Sequence, residues 1–206
     1  MLSLSLALKI FILGIAYLLG SIPSGYLAGK WIANIDLRQM GSGSTGSTNV
    51  LRHIGKWPAL AVFLIDVIKG TIPVLITRSF LFNDYWQVAA GLTALAGHIW
   101  PIWLKGKGGK AVATGLGMLL GLSWPVGIAC FGMFITTLSF SRIVSLSSII
   151  AATSLPFLML LSFHGSEFRP AYLYLSVITM AIVLWRHRSN IKRLIDGKEP
   201  KVGQSH

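Results

Sequence analysis

Charged residues are scarce in this chain of 206 residues, since only 12% are Asp, Glu, Lys or Arg. Soluble domains carry about 25%, so there are too few polar side chains to cover a water-facing surface. Hydrophobic residues make up 53% of the chain, and the mean hydropathy is +0.69. A membrane-crossing helix needs about 20 apolar residues. The composition therefore excludes a long soluble domain and predicts one multi-pass membrane domain over residues 1–206.

Acidic residues are the rarer charged class, with 6 against 18 Lys and Arg and a net charge of +12. A basic balance often indicates nucleic-acid binding, but here the basic residues lie in short patches between apolar runs. Positive-inside loops, anionic lipid head groups and anionic substrates explain such patches better. We expect membrane lipids as neighbours and no nucleic-acid partner.

The usual motifs of covalent and metal catalysis are also missing. Cys130 is the single cysteine and lies in an apolar run, so it can form no internal disulfide. The sequence has no zinc-ligand spacing, no G-x-S-x-G elbow and no H-x4-D acyltransferase box. We therefore expect no metal, no cofactor and no protein nucleophile.

Seven apolar segments are predicted as membrane-spanning helices: residues 4–27, 58–80, 85–104, 111–123, 125–140, 143–163 and 171–185. The fourth and fifth could instead form one helix kinked at Trp124-Pro125. With seven spans, fourteen of the 18 basic residues share one side of the membrane. The positive-inside rule then places the N-terminus outside and the C-terminus in the cytoplasm. The predicted fold is an all-α integral membrane protein with seven transmembrane helices.

The stretch "GSGSTGSTNVLR", residues 41–52, is polar although its neighbours are apolar. Glycines let backbone N–H groups converge and hydroxyls add donors, so such a loop can hold a phosphate. Arg52 could add a bidentate phosphate contact. No GKS or GKT follows, so this is not a P-loop. The alternative is a flexible linker, which composition alone slightly favours.

A second polar stretch, "GHIWPIWLKGKGGKAVAT", covers residues 97–114. It predicts Gly108, Gly109 and Lys110 at the N-terminus of the fourth span, where open N–H groups and the helix dipole favour an anion. Lys105 and Lys107 would strengthen the field. The alternative is ordinary positive-inside charge with a glycine turn. His98 is as compatible with a structural role as with a catalytic one.

Two further polar stretches follow, "SRIVSLSSI" at residues 141–149 and "WRHRSNIKRLIDGKE" at residues 185–199. Ser145 and Ser147 could contact a ligand or bond within the helices. His187 and Asn190 share one helix face, and histidine is the usual proton handler near neutral pH. The alternative for the last stretch is a basic interfacial helix that holds anionic lipid.

Asp66 and Lys69 lie three residues apart within the second predicted span. Charges inside a membrane are costly, so they should pair or face the bundle interior. A structural ion pair is favoured over a proton relay.

These four stretches, with "GSIPSGYLAGK" at residues 20–30, closely resemble the bacterial membrane family of acyl-phosphate:glycerol-3-phosphate acyltransferases (PlsY). The resemblance covers nearly the whole chain in order. It implies a seven-span protein of the bacterial cytoplasmic membrane with its active site on the cytoplasmic side. Such an enzyme transfers a fatty acyl group from acyl-phosphate to the 1-position of glycerol 3-phosphate. The products are lysophosphatidic acid and phosphate.

The resemblance also implies roles for individual residues, with Ser145 and Ser147 as alternatives for the site serine. Catalytic roles fall on Ser42, Arg52, Lys110, His187 and Asn190, and substrate-binding roles on Thr48, Asn49, Lys107, Gly108, Gly109, Ser145 and Ser147. Glu199 matches a glutamate tied to structural integrity. Ala111 stands where the family commonly has a glycine.

A transporter of a phosphorylated solute is the alternative function, because Asp66, Lys69 and a basic vestibule could serve it. Two features weigh against it: no duplicated halves are visible, and the polar stretches gather on one side of the predicted topology. A lipid-binding scaffold would explain the basic tail but not two glycine-rich loops. The expected partners are acyl-phosphate and glycerol 3-phosphate, with a monomer as the functional form.

Overall fold

The computed structural model describes residues 2–80, 82–163 and 168–203, and within these ranges the regular structure is entirely helical. The prediction of an all-α fold is thereby confirmed for the described part of the chain. In chain order the α-helices are α1 Leu2–Ser21, α2 Ser24–Ala33, α3 Ser47–His53, α4 Lys56–Ser79, α5 Asp84–Ile99, α6 Val112–Leu122, α7 Trp124–Ser141, α8 Val144–Leu161, α9 Pro170–Arg186 and α10 Arg188–Ile195. Short 3₁₀ turns lie at Leu37–Gln39 and Ile102–Leu104.

Four segments of the described chain are long and apolar enough to cross a bilayer by length and composition: Leu6–Ala33, Lys56–Ser79, Trp124–Ser141 and Val144–Leu161. Two apolar helices are shorter, Val112–Leu122 and Pro170–Arg186. A helix lies at each of the seven predicted spans, but only four meet the length and hydropathy criteria.

Two predicted boundaries change, and one alternative is excluded. The first span was predicted as one helix over 4–27, but α1 ends at Ser21 and α2 begins at Ser24. Pro23 separates them, because it lacks an N–H and disfavours helical backbone in the preceding residue. The third span was predicted to reach residue 104, whereas α5 ends at Ile99, just before Pro101. The single kinked helix considered for the fourth and fifth spans is wrong, since extended Ser123 separates two helices.

The chain forms two compact units, Met1–Leu122 and Ser123–His206. In the first unit α5 packs against α1, and α4 packs against α5 and α6. Glycines permit the closest approach between α4 and α6. A Cβ added at Gly70 would lie 2.1 Å from the carbonyl oxygen of Thr114, and one at Gly117 would lie 1.9 Å from that of Val67.

In the second unit α8 packs against both α7 and α9, and α10 contacts α8 and α9. The chain after α10 turns back over this unit, because the N–H of Val202 donates to the carbonyl of Arg142 at 2.7 Å. Arg142 ends α7 in the left-handed conformation. The tail is therefore anchored to this unit at least as far as residue 202.

The polar segment between α2 and α4 has an apolar core of its own. Leu37, Val50, Ala59 and Val62 are buried together, and Ala28, Ile35 and Ile54 pack against them. Burial of these side chains fixes the segment to α2 and α4. The flexible-linker interpretation of "GSGSTGSTNVLR" is therefore wrong.

Candidate active site

Ser42 lies at the exposed tip of a tight turn in the first polar stretch. The N–H of Gly43 donates to the carbonyl of Met40 at 2.9 Å and closes this turn. Gly41 and Gly43 have φ values of 54° and 67°, a backbone region that favours glycine. The two glycines around Ser42 therefore serve to shape a turn that presents its hydroxyl to the surroundings.

The side chain of Asn49 stabilises this turn through hydrogen bonds to the backbone. Its side chain is buried, and its Nδ2 lies 2.9–3.1 Å from the carbonyl oxygens of Leu37, Met40 and Ser44. Its Oδ1 is also buried, with no hydrogen-bond partner among the described residues. Asn49 was predicted to bind substrate. The amide nitrogen shapes the loop, which leaves the amide oxygen as the group that could accept a hydrogen bond from a ligand.

Two arginines near this loop differ in what they contact. Arg38 is paired with Asp36 at 2.7 Å and stacks on the ring of Tyr26. The hydrogen bond from Arg38 lowers the pKa of Asp36 to about 2. Arg52 is half-buried on α3 and makes no ion pair with an acidic residue in the described ranges. Of these two cations, Arg52 is therefore the one that an anion can engage.

The glycine loop before α6 uses its N–H groups differently from the prediction. The N–H of Gly108 donates to the carbonyl of Ile99, and that of Gly109 to the carbonyl of His98, both at 3.1 Å. These donors cap the C-terminal end of α5, so the prediction of open N–H groups at Gly108 and Gly109 is wrong. Helix α6 begins only at Val112. The cationic part of the prediction is unaffected, with Lys107 exposed and Lys110 half-buried.

A buried charged cluster in the first unit lies behind this loop. Lys69 Nζ lies 2.8 Å from Asp66 Oδ1, which confirms the predicted ion pair. The same carboxylate oxygen accepts a hydrogen bond from the Ser24 hydroxyl at 2.6 Å. His98 Nδ1 is 3.8 Å away from it. Sequence reasoning missed Ser24, and its position directly after Pro23 in "GSIPSG" was the only available signal.

Glu199 is the centre of the polar cluster in the second unit. Its Oε1 accepts hydrogen bonds from Asn190 Nδ2 at 2.6 Å and Ser145 Oγ at 2.7 Å. Its Oε2 accepts one from Arg193 Nε at 2.7 Å. Burial acts to raise the pKa of Glu199, but these three hydrogen bonds outweigh burial and lower it. Arg193 was not predicted to have a specific role.

His187, between α9 and α10, is buried, and its Nδ1 lies 2.8 Å from the carbonyl oxygen of Val183. A ring that donates from Nδ1 carries an acceptor at Nε2 when it is neutral.

Two serines of α8 differ in their hydrogen-bond partners. Ser145 donates to Glu199, whereas Ser147 donates back to the carbonyl of Ile143, the N-cap residue of α8.

The fold and these clusters define a class, namely an all-helical integral membrane protein in which buried polar networks support cation- and hydroxyl-bearing loops. In the described ranges no group of three or more His, Cys, Asp or Glu could hold a metal ion. A family model described as glycerol-3-phosphate acyltransferase matches residues 10–197. The chain belongs to the glycerol-3-phosphate acyltransferase family.

Individual relatives agree with this assignment. A glycerol-3-phosphate acyltransferase of Synechococcus sp. (strain CC9902) is 63% identical over 196 residues, which cover 95% of this chain and 96% of that protein. One from Prochlorococcus marinus (strain MIT 9313) is 68% identical over 189 residues, covering 92% of each chain. The crystal structure of PlsY (YgiH), an integral membrane glycerol 3-phosphate acyltransferase, in its glycerol 3-phosphate form matches with a TM-score of 0.88 and 36% identity. That match covers 95% of this chain and 96% of that chain.

Proposed function

We propose that this protein transfers a fatty acyl group from acyl-phosphate to the 1-position hydroxyl of glycerol 3-phosphate. The products are lysophosphatidic acid and phosphate, and the reaction serves phospholipid biosynthesis. One observation carries the proposal: the first unit presents Ser42 on an ordered loop with Arg52 on the helix α3 that follows it, and Lys107 and Lys110 on a second loop. Two cationic loops suit a reaction in which both substrates bear a phosphate.

The chemistry fits a site without a protein nucleophile. Acyl-phosphate is a mixed anhydride, so its carbonyl carbon is already activated. The glycerol hydroxyl oxygen forms a bond to this carbon, the bond from the carbon to the phosphate oxygen breaks, and the hydroxyl proton passes to the departing phosphate. The protein must orient the two substrates, which contributes several kcal/mol to lowering the barrier, and stabilise the negative charge that develops.

The proposal gives each of these side chains a role. Ser42, Thr48 and Arg52 bind a substrate phosphate, with the Asn49 amide oxygen as a further acceptor for a hydroxyl. Lys107 and Lys110 neutralise the departing phosphate and the carbonyl oxyanion. Gly108 and Gly109 shape their loop through the caps on α5. In the second unit His187, Asn190 and Ser145 bind and orient substrate, and Ser147 supports α8 from within.

The proposal includes the topology. Seven helices span the bacterial cytoplasmic membrane, with the N-terminus outside and the C-terminus in the cytoplasm: α1, α4, α5, α6, α7, α8 and α9. The basic residues between them support this orientation, in which the four polar stretches face the cytoplasmic side. Because the family match over residues 10–197 runs through both units, we treat them as one acyltransferase domain. The functional form is a monomer surrounded by lipid.

The test is a reconstituted assay with purified protein, labelled glycerol 3-phosphate and a long-chain acyl-phosphate. Formation of labelled lysophosphatidic acid is expected, and acyl-CoA in place of acyl-phosphate should give none. A Lys110→Ala variant that remains folded should lose most of the rate. If folded protein makes no product but accumulates glycerol 3-phosphate inside sealed vesicles, the transporter alternative is correct and the proposal is not.

A further inference from the structure

The buried carboxylate of Asp66 contacts side chains from two other helices of the first unit. Its Oδ1 receives the Ser24 hydroxyl at 2.6 Å and the Lys69 ammonium at 2.8 Å, with His98 Nδ1 at 3.8 Å. All four side chains are buried, with exposed fractions from 1% to 7%. Lys69 Nζ also donates to the carbonyl of Ile22 at 2.9 Å, at the break between α1 and α2. Buried charges of this kind persist only when paired and hydrogen-bonded, so the cluster fixes α2, α4 and α5 to one another.

His98 connects this cluster to the glycine loop. Its carbonyl oxygen accepts the N–H of Gly109 at 3.1 Å. A Cβ added at Gly109 would lie 2.1 Å from His98 Nε2, and one added at Gly108 would lie 2.1 Å from the His98 carbonyl oxygen. The loop that carries Lys107 and Lys110 is therefore packed directly on the ring and backbone of His98.

Ser24 connects the same cluster to the first loop. The next residue, Gly25, approaches the backbone of Thr45 so closely that an added Cβ would lie 1.9 Å from its carbonyl oxygen. Thr45 lies between the Ser42 turn and α3, and it is buried. A shift of Ser24 relative to Asp66 would move α2 and, with it, the loop that carries Ser42 and leads into α3 with Arg52.

We propose that Asp66, Lys69, Ser24 and His98 form a positioning cluster that sets the two cationic loops of the first unit relative to each other. These four are positioning residues, since they act through the loops rather than on the reacting atoms. The inference rests on the proposed function, because it assigns the cluster to the loops that hold the substrate phosphates. The charge pair of Asp66 and Lys69 supplies rigidity. Ser24, which hydrogen-bonds to Asp66 at 2.6 Å, and His98, whose Nδ1 lies 3.8 Å from it, each connect the pair to one of the two loops.

The test uses His98→Leu, which removes both ring nitrogens, His98→Asn, which keeps a donor near the Nδ1 position, and Ser24→Ala. The matched control is Thr77→Val on α4, another buried side chain that hydrogen-bonds only within its own helix. Melting temperature in detergent, kcat, and KM for both substrates are measured for each variant. Small misplacements of binding groups cost up to about 100-fold.

We expect His98→Leu and Ser24→Ala to raise KM for glycerol 3-phosphate or acyl-phosphate about 10–100-fold, with a smaller change in kcat. His98→Asn should recover part of this loss, and Thr77→Val should keep the parental KM. Folded His98 and Ser24 variants with parental KM for both substrates would overturn the inference. Variants in which the melting temperature falls but KM stays parental would overturn it too, because the cluster would then serve stability alone.

A failure of the proposed function has a different signature, because the unmodified protein would then make no lysophosphatidic acid. The cluster is still tested in that case by the rise of the melting temperature with added glycerol 3-phosphate, which needs binding but no turnover. His98→Leu should weaken that rise and Thr77→Val should not. Equal rises in both variants would contradict the positioning role.

Discussion

Glu199 accepts a hydrogen bond from the amide nitrogen of Asn190 at 2.6 Å, so a carboxylate in the tail fixes the orientation of a residue proposed to bind substrate. Ser145 from α8 and Arg193 from α10 donate to the same carboxylate. The tail after α10 therefore belongs to the polar cluster of the second unit. It joins α8 to α10 through one buried acceptor.

Replacing Glu199 with Gln should disrupt this cluster although the shape of the side chain is kept. Gln has one acceptor oxygen, and its NH₂ group would face either Arg193 or the donors Asn190 and Ser145. An unmatched buried donor costs about 1–3 kcal/mol. We expect a lower melting temperature and lower kcat/KM. Asp196→Asn, at an exposed carboxylate of the same segment, is the control and should change neither. Parental stability and activity in Glu199→Gln would contradict the central role of this carboxylate.

The stability of the protein should depend on Glu199 at acidic pH. Burial acts to raise its pKa, but the hydrogen bonds from Asn190, Ser145 and Arg193 bring it below the ordinary value of 4.5. A carboxylate with a lowered pKa in the folded state stabilises fully above its unfolded pKa, and this contribution is lost as the pH falls through the folded pKa.

Above pH 4.5 the titration of Glu199 should therefore not affect the melting temperature. Below pH 4.5 the melting temperature should fall as Glu199 is protonated. Glu199→Gln lacks the titrating carboxyl, so the gap between its melting temperature and that of the parent should narrow as the pH drops below that value. The measurement is a series of melting curves in detergent from neutral to acidic pH. If the difference in melting temperature stays constant to the most acidic pH, the titration of Glu199 does not contribute to stability at acidic pH.

The two serines of α8 should differ in their effect on activity. Ser145→Ala removes a donor to Glu199, whereas Ser147→Ala removes only a bond to the carbonyl of Ile143 one turn earlier. We expect Ser145→Ala to lower kcat/KM at least about 10-fold, consistent with loss of a bond to a charged group worth about 1.5–3 kcal/mol. Ser147→Ala should stay within about threefold of the parent, because its hydroxyl is used inside the helix. The reverse order would identify Ser147 as the functional serine.

Local sequence patterns predicted the helices well, because apolar runs of span length leave a membrane chain few alternatives. The Asp66–Lys69 pair was predictable for the same reason, since two charges three residues apart in a span must be compensated. The contacts of Glu199 with Ser145 were not, because these residues are 54 positions apart in the chain. No local pattern encodes such a pairing.

The hydrogen-bond partners of the glycine loops were also not predictable from the sequence. Their composition indicated freedom of the backbone, but not which partner each N–H would choose. Gly108 and Gly109 cap α5 instead of pointing at an anion site. The break at Pro23 was visible in the sequence, yet the apolar run through it favoured one continuous helix. Close packing of Gly25 on Thr45 depends on tertiary structure alone.

Gly25→Ala should displace the first loop. The added methyl would lie 1.9 Å from the carbonyl oxygen of Thr45, a backbone atom that cannot move without moving the loop. We expect a clear fall in activity and in melting temperature, since overpacking costs about 1–3 kcal/mol. Gly14→Ala on α1 is the matched control, because nothing lies within 4 Å of its added Cβ. Parental activity and melting temperature in Gly25→Ala would show that α2 and this loop are not in close contact.

Ala111→Gly should be better tolerated than a comparable change elsewhere. Ala111 is buried and has a φ of 63°, a left-handed conformation that costs a non-glycine residue about 1–2 kcal/mol. Glycine removes this cost. Ala90→Gly on α5 is the matched control, because it also removes a buried methyl group but from a helical residue. The free energy of unfolding of Ala111→Gly should therefore exceed that of Ala90→Gly by about 1–2 kcal/mol. The measurement is a denaturant unfolding curve for each variant in the same detergent. Equal losses in the two variants would show that the backbone before α6 carries no strain.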